Sequence, residues 1–139
     1  MKRASSILVA LGLALGPTCA LAGKTDNLFT IESIAAPDKL APGAKGSAQF
    51  VIKVKPEGHI SDEAPLKGTL TAKNAQLEKD KIVKADAVYK DGGASMSVPF
   101  TAGAEKGAAS IEANLTFFIC SKEICERHER KLVVPVTVQ

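Results

Sequence analysis

From Ala109 the chain alternates strictly. Ala109, Ile111, Ala113, Leu115, Phe117 and Ile119 are apolar, and Ser110, Glu112, Asn114 and Thr116 between them are polar. A period of two puts every second side chain on the same face, so this segment predicts a long half-buried strand. The end of the chain repeats the pattern. Leu132, Val134, Val136 and Val138 fall on one face, and Val133, Pro135 and Thr137 on the other. Pro135 has no N–H to give a ladder hydrogen bond, which predicts an edge strand or a bulge there.

Earlier segments carry shorter versions of the same signal. Ala48, Phe50, Ile52 and Val54 alternate with Gln49, Val51, Lys53 and Lys55, and Met96, Val98 and Phe100 alternate with Ser95, Ser97 and Pro99. Leu28 to Ile34 and Leu66 to Ala72 are further candidate strands. Turn signals at Pro42-Gly43, Pro56-Glu57-Gly58, Asp91-Gly92-Gly93 and Gly103 to Gly107 separate them. Gln76 to Val88 looks partly helical and reads as an irregular or extended crossover. These elements predict an all-β, immunoglobulin-like antiparallel β-sandwich of about seven strands. The chain has no tryptophan and its late cysteines are close in sequence, so an antibody-type core is not expected.

The first 22 residues read differently. Lys2 and Arg3 form a positive start, Ile7 to Leu15 an apolar run, and Ala20-Leu21-Ala22 a small-x-small site. These are the parts of a secretory signal, with cleavage expected before Gly23. The apolar run is too short to span a bilayer, which takes roughly 20 residues. Gly16-Pro17-Thr18 before Cys19 departs from the small or aliphatic residues of a lipoprotein signal. Cys19 is therefore expected to leave with the signal. The remaining residues 23–139 are expected to form one domain, periplasmic or secreted.

Of 139 residues, 18 are basic and 15 acidic. Removing Lys2 and Arg3 leaves 16 basic residues against 15 acidic, a mature net charge of +1. No basic stripe interleaves with aromatics, so a nucleic-acid partner is not expected. No second apolar stretch reaches membrane length, so no membrane span is expected after processing.

Cys120 and Cys125 survive processing. In an oxidising compartment such a pair is expected to bond to itself. In an extended segment their Cα atoms would lie about 16 Å apart at roughly 3.3 Å per residue. A disulfide needs them within about 7 Å, so Ser121-Lys122-Glu123-Ile124 must turn and the pair must close a hairpin between the last two strands. The core face of the penultimate strand holds odd positions. Cys120 is even, so it is expected on the outer face beside Phe118 and accessible to exchange. A loop this short gains only about 2 kcal/mol in the chain-entropy picture. A structural and a redox-active bridge both fit these residues. The nearby charges Lys122, Arg127, Arg130 and Lys131 against Glu123, Glu126 and Glu129 nearly balance.

The segment Leu115-Thr-Phe-Phe-Ile-Cys120-Ser-Lys-Glu-Ile-Cys125, followed by Val133-Val-Pro-Val136, resembles the N-terminal periplasmic domain of the DsbD thiol:disulfide interchange family. Upstream, Phe50 to Ile60, Tyr89-Lys90-Asp91 and Ser97-Val98-Pro99-Phe100 are similar to that domain at the level of pattern, so the likeness runs from about Ser47 to Val138. The resemblance implies an immunoglobulin-like fold and Cys120 and Cys125 as a pair cycling between dithiol and disulfide. It implies a thioredoxin-like or membrane thiol reductase protein as electron donor and periplasmic disulfide proteins as acceptors. That family covers its disulfide with an aromatic cap loop. The comparable stretch here, Lys79 to Ala85, offers Ile82 and Val83.

Other chemistry finds less support. Cys120, Cys125 and His128 have a spacing compatible with a small metal site, but a closed zinc site wants four ligands. His59 is the only other histidine, and both histidines read as solvated loop residues; His59, near Asp62 and Glu63, fits a loop over the sulfurs and a plain polar turn equally. No metal and no cofactor is expected. No Ser/His/Asp motif is recognisable. Asn114-Leu115-Thr116 matches a glycosylation sequon, but it falls in a predicted strand.

Overall fold

The computed structural model describes residues 23–139; the expected export signal and Cys19 lie outside the described residues. After a short 3-10 turn, Asp26–Leu28, eleven strands follow. They are β1 (Phe29–Ala36), β2 (Lys39–Leu40), β3 (Lys45–Val54), β4 (His59–Ile60), β5 (Lys67–Lys73), β6 (Ala75–Leu77), β7 (Lys81–Val83), β8 (Ala87–Lys90), β9 (Gly93–Ala102), β10 (Gly107–Cys120) and β11 (Cys125–Val138). Seven of them, β1, β3, β5, β8, β9, β10 and β11, have four or more residues, which matches the expected number.

The strands form two sheets. One runs β1–β3–β9–β6 with β8 also on β9; the other runs β2–β11–β10–β5–β7 with β4 also on β10. Pairing is antiparallel except where β2 lies parallel to the end of β11. This is an all-β immunoglobulin-like sandwich, as the alternation predicts. Odd residues of β10 from Ala109 to Ile119 are buried against Ala48, Phe50, Ile52, Met96, Val98 and Phe100 of the facing sheet. Each large apolar side chain buried this way contributes about 1.5–3 kcal/mol.

The expected crossover at 76–88 is corrected. It contains β6, β7, a 3-10 turn at Lys84–Asp86 and the start of β8. The segment changes sheets twice: β6 and β8 pair with β9, whereas β7 pairs with β5. Each visit is too short to write a readable period into the sequence.

Pro135 sits where the expectation placed it. Thr137 and Gln139 donate their N–H groups to Asp38 and Leu40 on the β2 side. Residue 135 has the same parity, so its nitrogen faces that side too. β2 pairs only with Thr137 and Val138, so at Pro135 the missing N–H faces an open edge. No helix among the described residues is long and apolar enough to cross a membrane.

Candidate functional site

β10 and β11 run antiparallel over their whole length and end in the pair Cys120↔Cys125. A disulfide joins them, with Cα atoms 3.9 Å apart. The four residues between them turn as expected. The Ser121 N–H donates to the Ile124 carbonyl at 2.8 Å. The Ser121 hydroxyl oxygen accepts from the N–H groups of Glu123 and Ile124 at 3.2 and 3.3 Å. Ser121 thus fixes the tip that holds the sulfurs together.

The phase argument places Cys120 on the outer face, but the expected accessibility is corrected. Cys120 is only 4% exposed, whereas Cys125 is exposed. β4 explains the difference. It adds a third strand beside the end of β10, pairing Ile60 with Ile119 and His59 with Cys120. Cys120 is therefore flanked on both sides within the sheet. Cys125 lies on β11, whose other side is covered by β2 only at its far end.

Paired residues point to the same face with Cβ atoms about 4.5–5.5 Å apart. Ile60 and Ile119 are both buried on the inner face, so His59 and Cys120 share the outer one. His59, Cys120 and Cys125 form a row across three strands. Of the two readings of His59, a loop over the sulfurs or a polar turn, neither is what forms: the residue is exposed and lies in a strand beside the sulfur. Only long-range strand pairing carries this neighbour relationship. The stretch comparable to the family's cap, Lys79 to Ala85, lies away from the sulfurs: β7 is two strands from β10, and Ile82 is core.

His128 is also corrected. It is neither a solvated loop residue nor a partner of the cysteines. It sits in β11 at 5% exposure on the inner face. Its ring packs 4.7 Å from Phe29 and 5.7 Å from Phe117, centroid to centroid. Its Nε2 lies 2.7 Å from the Thr25 hydroxyl and its Nδ1 lies 3.3 Å from Asp26 Oδ1. The order Asp26, His128, Thr25 has the look of a hydrolytic triad. Two facts remove that reading. Thr25 is fully buried. Its hydroxyl also lies 2.7 Å from Glu126 Oε2, and Thr25 has one proton for two neighbours.

The charges decide where that proton goes. Thr25 holds the Glu126 carboxyl below its usual range, first through its hydroxyl and then through its N–H. Glu126 is thus ionised and accepts the Thr25 proton, so His128 Nε2–H must donate to Thr25. A histidine that donates cannot serve as base to the same hydroxyl. Burial pushes the His128 pKa down, opposed by Asp26 and Glu126 and reinforced by Arg130. Asp26 is held low, first by the Gly23 N–H and then by Arg130, whose Nη2 lies 2.8 Å from Oδ1. This cluster ties the N-terminal segment to β11. Among the described residues, no group of three or more His, Cys, Asp or Glu is placed to hold a metal ion.

No family model matches the chain, and no curated protein sequence matches it. Solved structures are similar to it at low sequence identity. A conjugate transposon protein from Bacteroides vulgatus is 15% identical, over 86% of this chain and 91% of that one, with a TM-score of 0.47. The complex of zinc 2-glycoprotein with prolactin inducible protein from human seminal plasma matches at 14% identity, over 78% and 93%, with a TM-score of 0.44. A conjugative transposon lipoprotein from Bacteroides eggerthii is 12% identical, over 76% and 95%, with a TM-score of 0.38.

Proposed function

We propose that this domain exchanges thiols and disulfides through Cys120 and Cys125. In this reading it takes electrons from a thioredoxin-like or membrane thiol reductase protein and passes them to periplasmic disulfide proteins. The observation that carries it is the asymmetry of the pair: one sulfur-bearing residue exposed at a hairpin tip, its partner sheltered. The resemblance of residues 115–125 to the DsbD interchange domain supports the same reading.

A donor thiolate attacks Cys125 Sγ, the donor–Cys125 bond forms, and Cys120 leaves as thiolate and takes a proton. The donor's second thiolate then attacks its own first sulfur. Cys125 is released, the donor holds the new disulfide, and this domain holds a dithiol. In the second half, Cys125 thiolate attacks a partner disulfide. Cys120 thiolate then attacks Cys125 and frees the partner's second thiol. Two electrons and two protons move in each half.

The competing role is a clamp worth about 2 kcal/mol on the hairpin. The reduction potential of the mature protein, read by alkylation and mass shift in graded thiol buffers, separates the two. A value above roughly −250 mV supports exchange; a value below about −300 mV marks a structural bridge and ends the redox reading.

A further inference from the structure

We propose that the α-ammonium created by cleavage before Gly23 is a structural cation of this domain, docking on Asp26 beside Glu126 and pinning residues 23–26 over His128. This inference is independent of thiol exchange. It depends on the processing expected from the sequence, which would convert the Gly23 nitrogen from a neutral peptide N–H into a charged group with three donors.

The geometry is already in place at that nitrogen. Gly23 N lies 2.6 Å from Asp26 Oδ2, within the range of charge-assisted bonds. Glu126 is the second carboxylate at this spot. Its Oε2 would lie 3.1 Å from a Cβ built on Gly23, and its two oxygens accept from Lys24 N–H at 3.1 Å and Thr25 N–H at 2.7 Å. A side chain at position 23 would press on Glu126.

The charges around Asp26 point the same way. Asp26 and Glu126 bring two negative charges. Arg130 brings one positive charge, through Asp26 Oδ1. Arg127 is engaged with Glu129. His128 faces Asp26 through Nδ1 and Thr25 through Nε2. Arg130 and His128 both lie against Asp26 Oδ1, and the other oxygen, Asp26 Oδ2, is the one that accepts from Gly23 N–H. A free α-amino group has an ordinary pKa of about 7.7–8.0 and is mostly charged at neutral pH. Next to two carboxylates its charged form is favoured further.

The consequence is a maturation-dependent contact. Before cleavage the nitrogen offers Asp26 one neutral donor. After cleavage it offers a full charge, and the segment that covers His128 is tied to β11 near Cys125. A raised pKa in the folded state gives stability that is complete below the unfolded value and is lost as pH rises through the folded one.

The test uses the exported protein, first sequenced from its N-terminus, and the same domain with its Gly23 amine acetylated. NMR titration of the Gly23 α-amine should show a pKa raised by about one unit, a tenfold shift in its proton affinity. The free-amine form should melt higher than the acetylated form at pH 6 to 7, and the gap should close above pH 9. Asp26→Asn should return the amine towards its ordinary pKa. An amine that titrates at its ordinary value, with acetylation leaving the melting curve unchanged, would overturn the proposal. So would an exported protein that starts anywhere other than Gly23.

Discussion

His59 on β4 and Cys120 on β10 are cross-strand partners on the outer face of one sheet, although they lie far apart in the chain. A charge at position 59 therefore acts on the sulfur that must leave as thiolate when the disulfide opens. A nearby cation favours that thiolate and an anion opposes it. His59→Lys should speed reduction by a small dithiol, and His59→Glu should slow it, each by about three- to tenfold at low salt. Adding 0.5 M salt should shrink both effects. Stopped-flow reduction rates of the three proteins check this, and rates indifferent to the charge would remove His59 from the site.

The pair is unequal, so its single mutants should be too. Cys120→Ser leaves the exposed Cys125, which should react with a neutral alkylating agent at least about tenfold faster than the sheltered Cys120 left by Cys125→Ser. The Cys120→Ser protein also lacks its resolving thiol, so it should accumulate mixed disulfides with an oxidised partner. Intact-mass time courses read both effects. Equal alkylation rates would mean that the burial of Cys120 does not govern attack.

The hairpin and the outer-face placement of Cys120 were legible in the chain because both follow from a strict period of two. Accessibility was not, because burial at a strand end depends on its lateral neighbour. That neighbour is β4, a two-residue strand with no period to detect. His128 was misread for a related reason. Flanked by Glu126, Arg127, Glu129 and Arg130, it looks solvated by composition. Parity gave the signal that could have found it: 128 shares its face with Leu132, Val134 and Val136. The partners that make burial tolerable, Thr25 and Asp26, come from the other end of the chain.

Two glycines should respond differently to alanine. A Cβ on Gly93 would collide with the Ile52 carbonyl oxygen, where β9 crosses close to β3. Backbone cannot swing aside as a side chain can, so Gly93→Ala should cost about 2 kcal/mol or more. Gly43 has φ +76 in the turn before β3, and a Cβ there meets nothing within 4 Å. Gly43→Ala should cost only the backbone penalty, about 1–2 kcal/mol. Urea unfolding of the two variants orders them, and the reverse order would contradict the close β3–β9 approach.

The buried histidine sets a pH dependence with a definite sign. Among the described residues, the titratable or charged groups facing His128 are Asp26 at Nδ1, with Glu126 and Arg130 on its own strand. Burial lowers its pKa in the fold, so above the unfolded value of about 6.5 it contributes no pH dependence. As pH falls below that value the unfolded chain binds a proton that the folded chain resists, and stability drops, with a ceiling of about 1.4 kcal/mol per pH unit. Asp26 and Glu126 are depressed instead. Their contribution holds above their unfolded values, near 4, and is lost only as pH falls through lower ones. Acid should therefore act in two stages. Melting temperatures should fall between about pH 6.5 and 5 in the natural protein. His128→Gln should flatten that window while keeping the steeper loss at lower pH. Thermal melts at half-unit steps from pH 3 to 8 check this, and an unchanged slope from pH 6.5 to 5 in His128→Gln would show that another group drives the first stage.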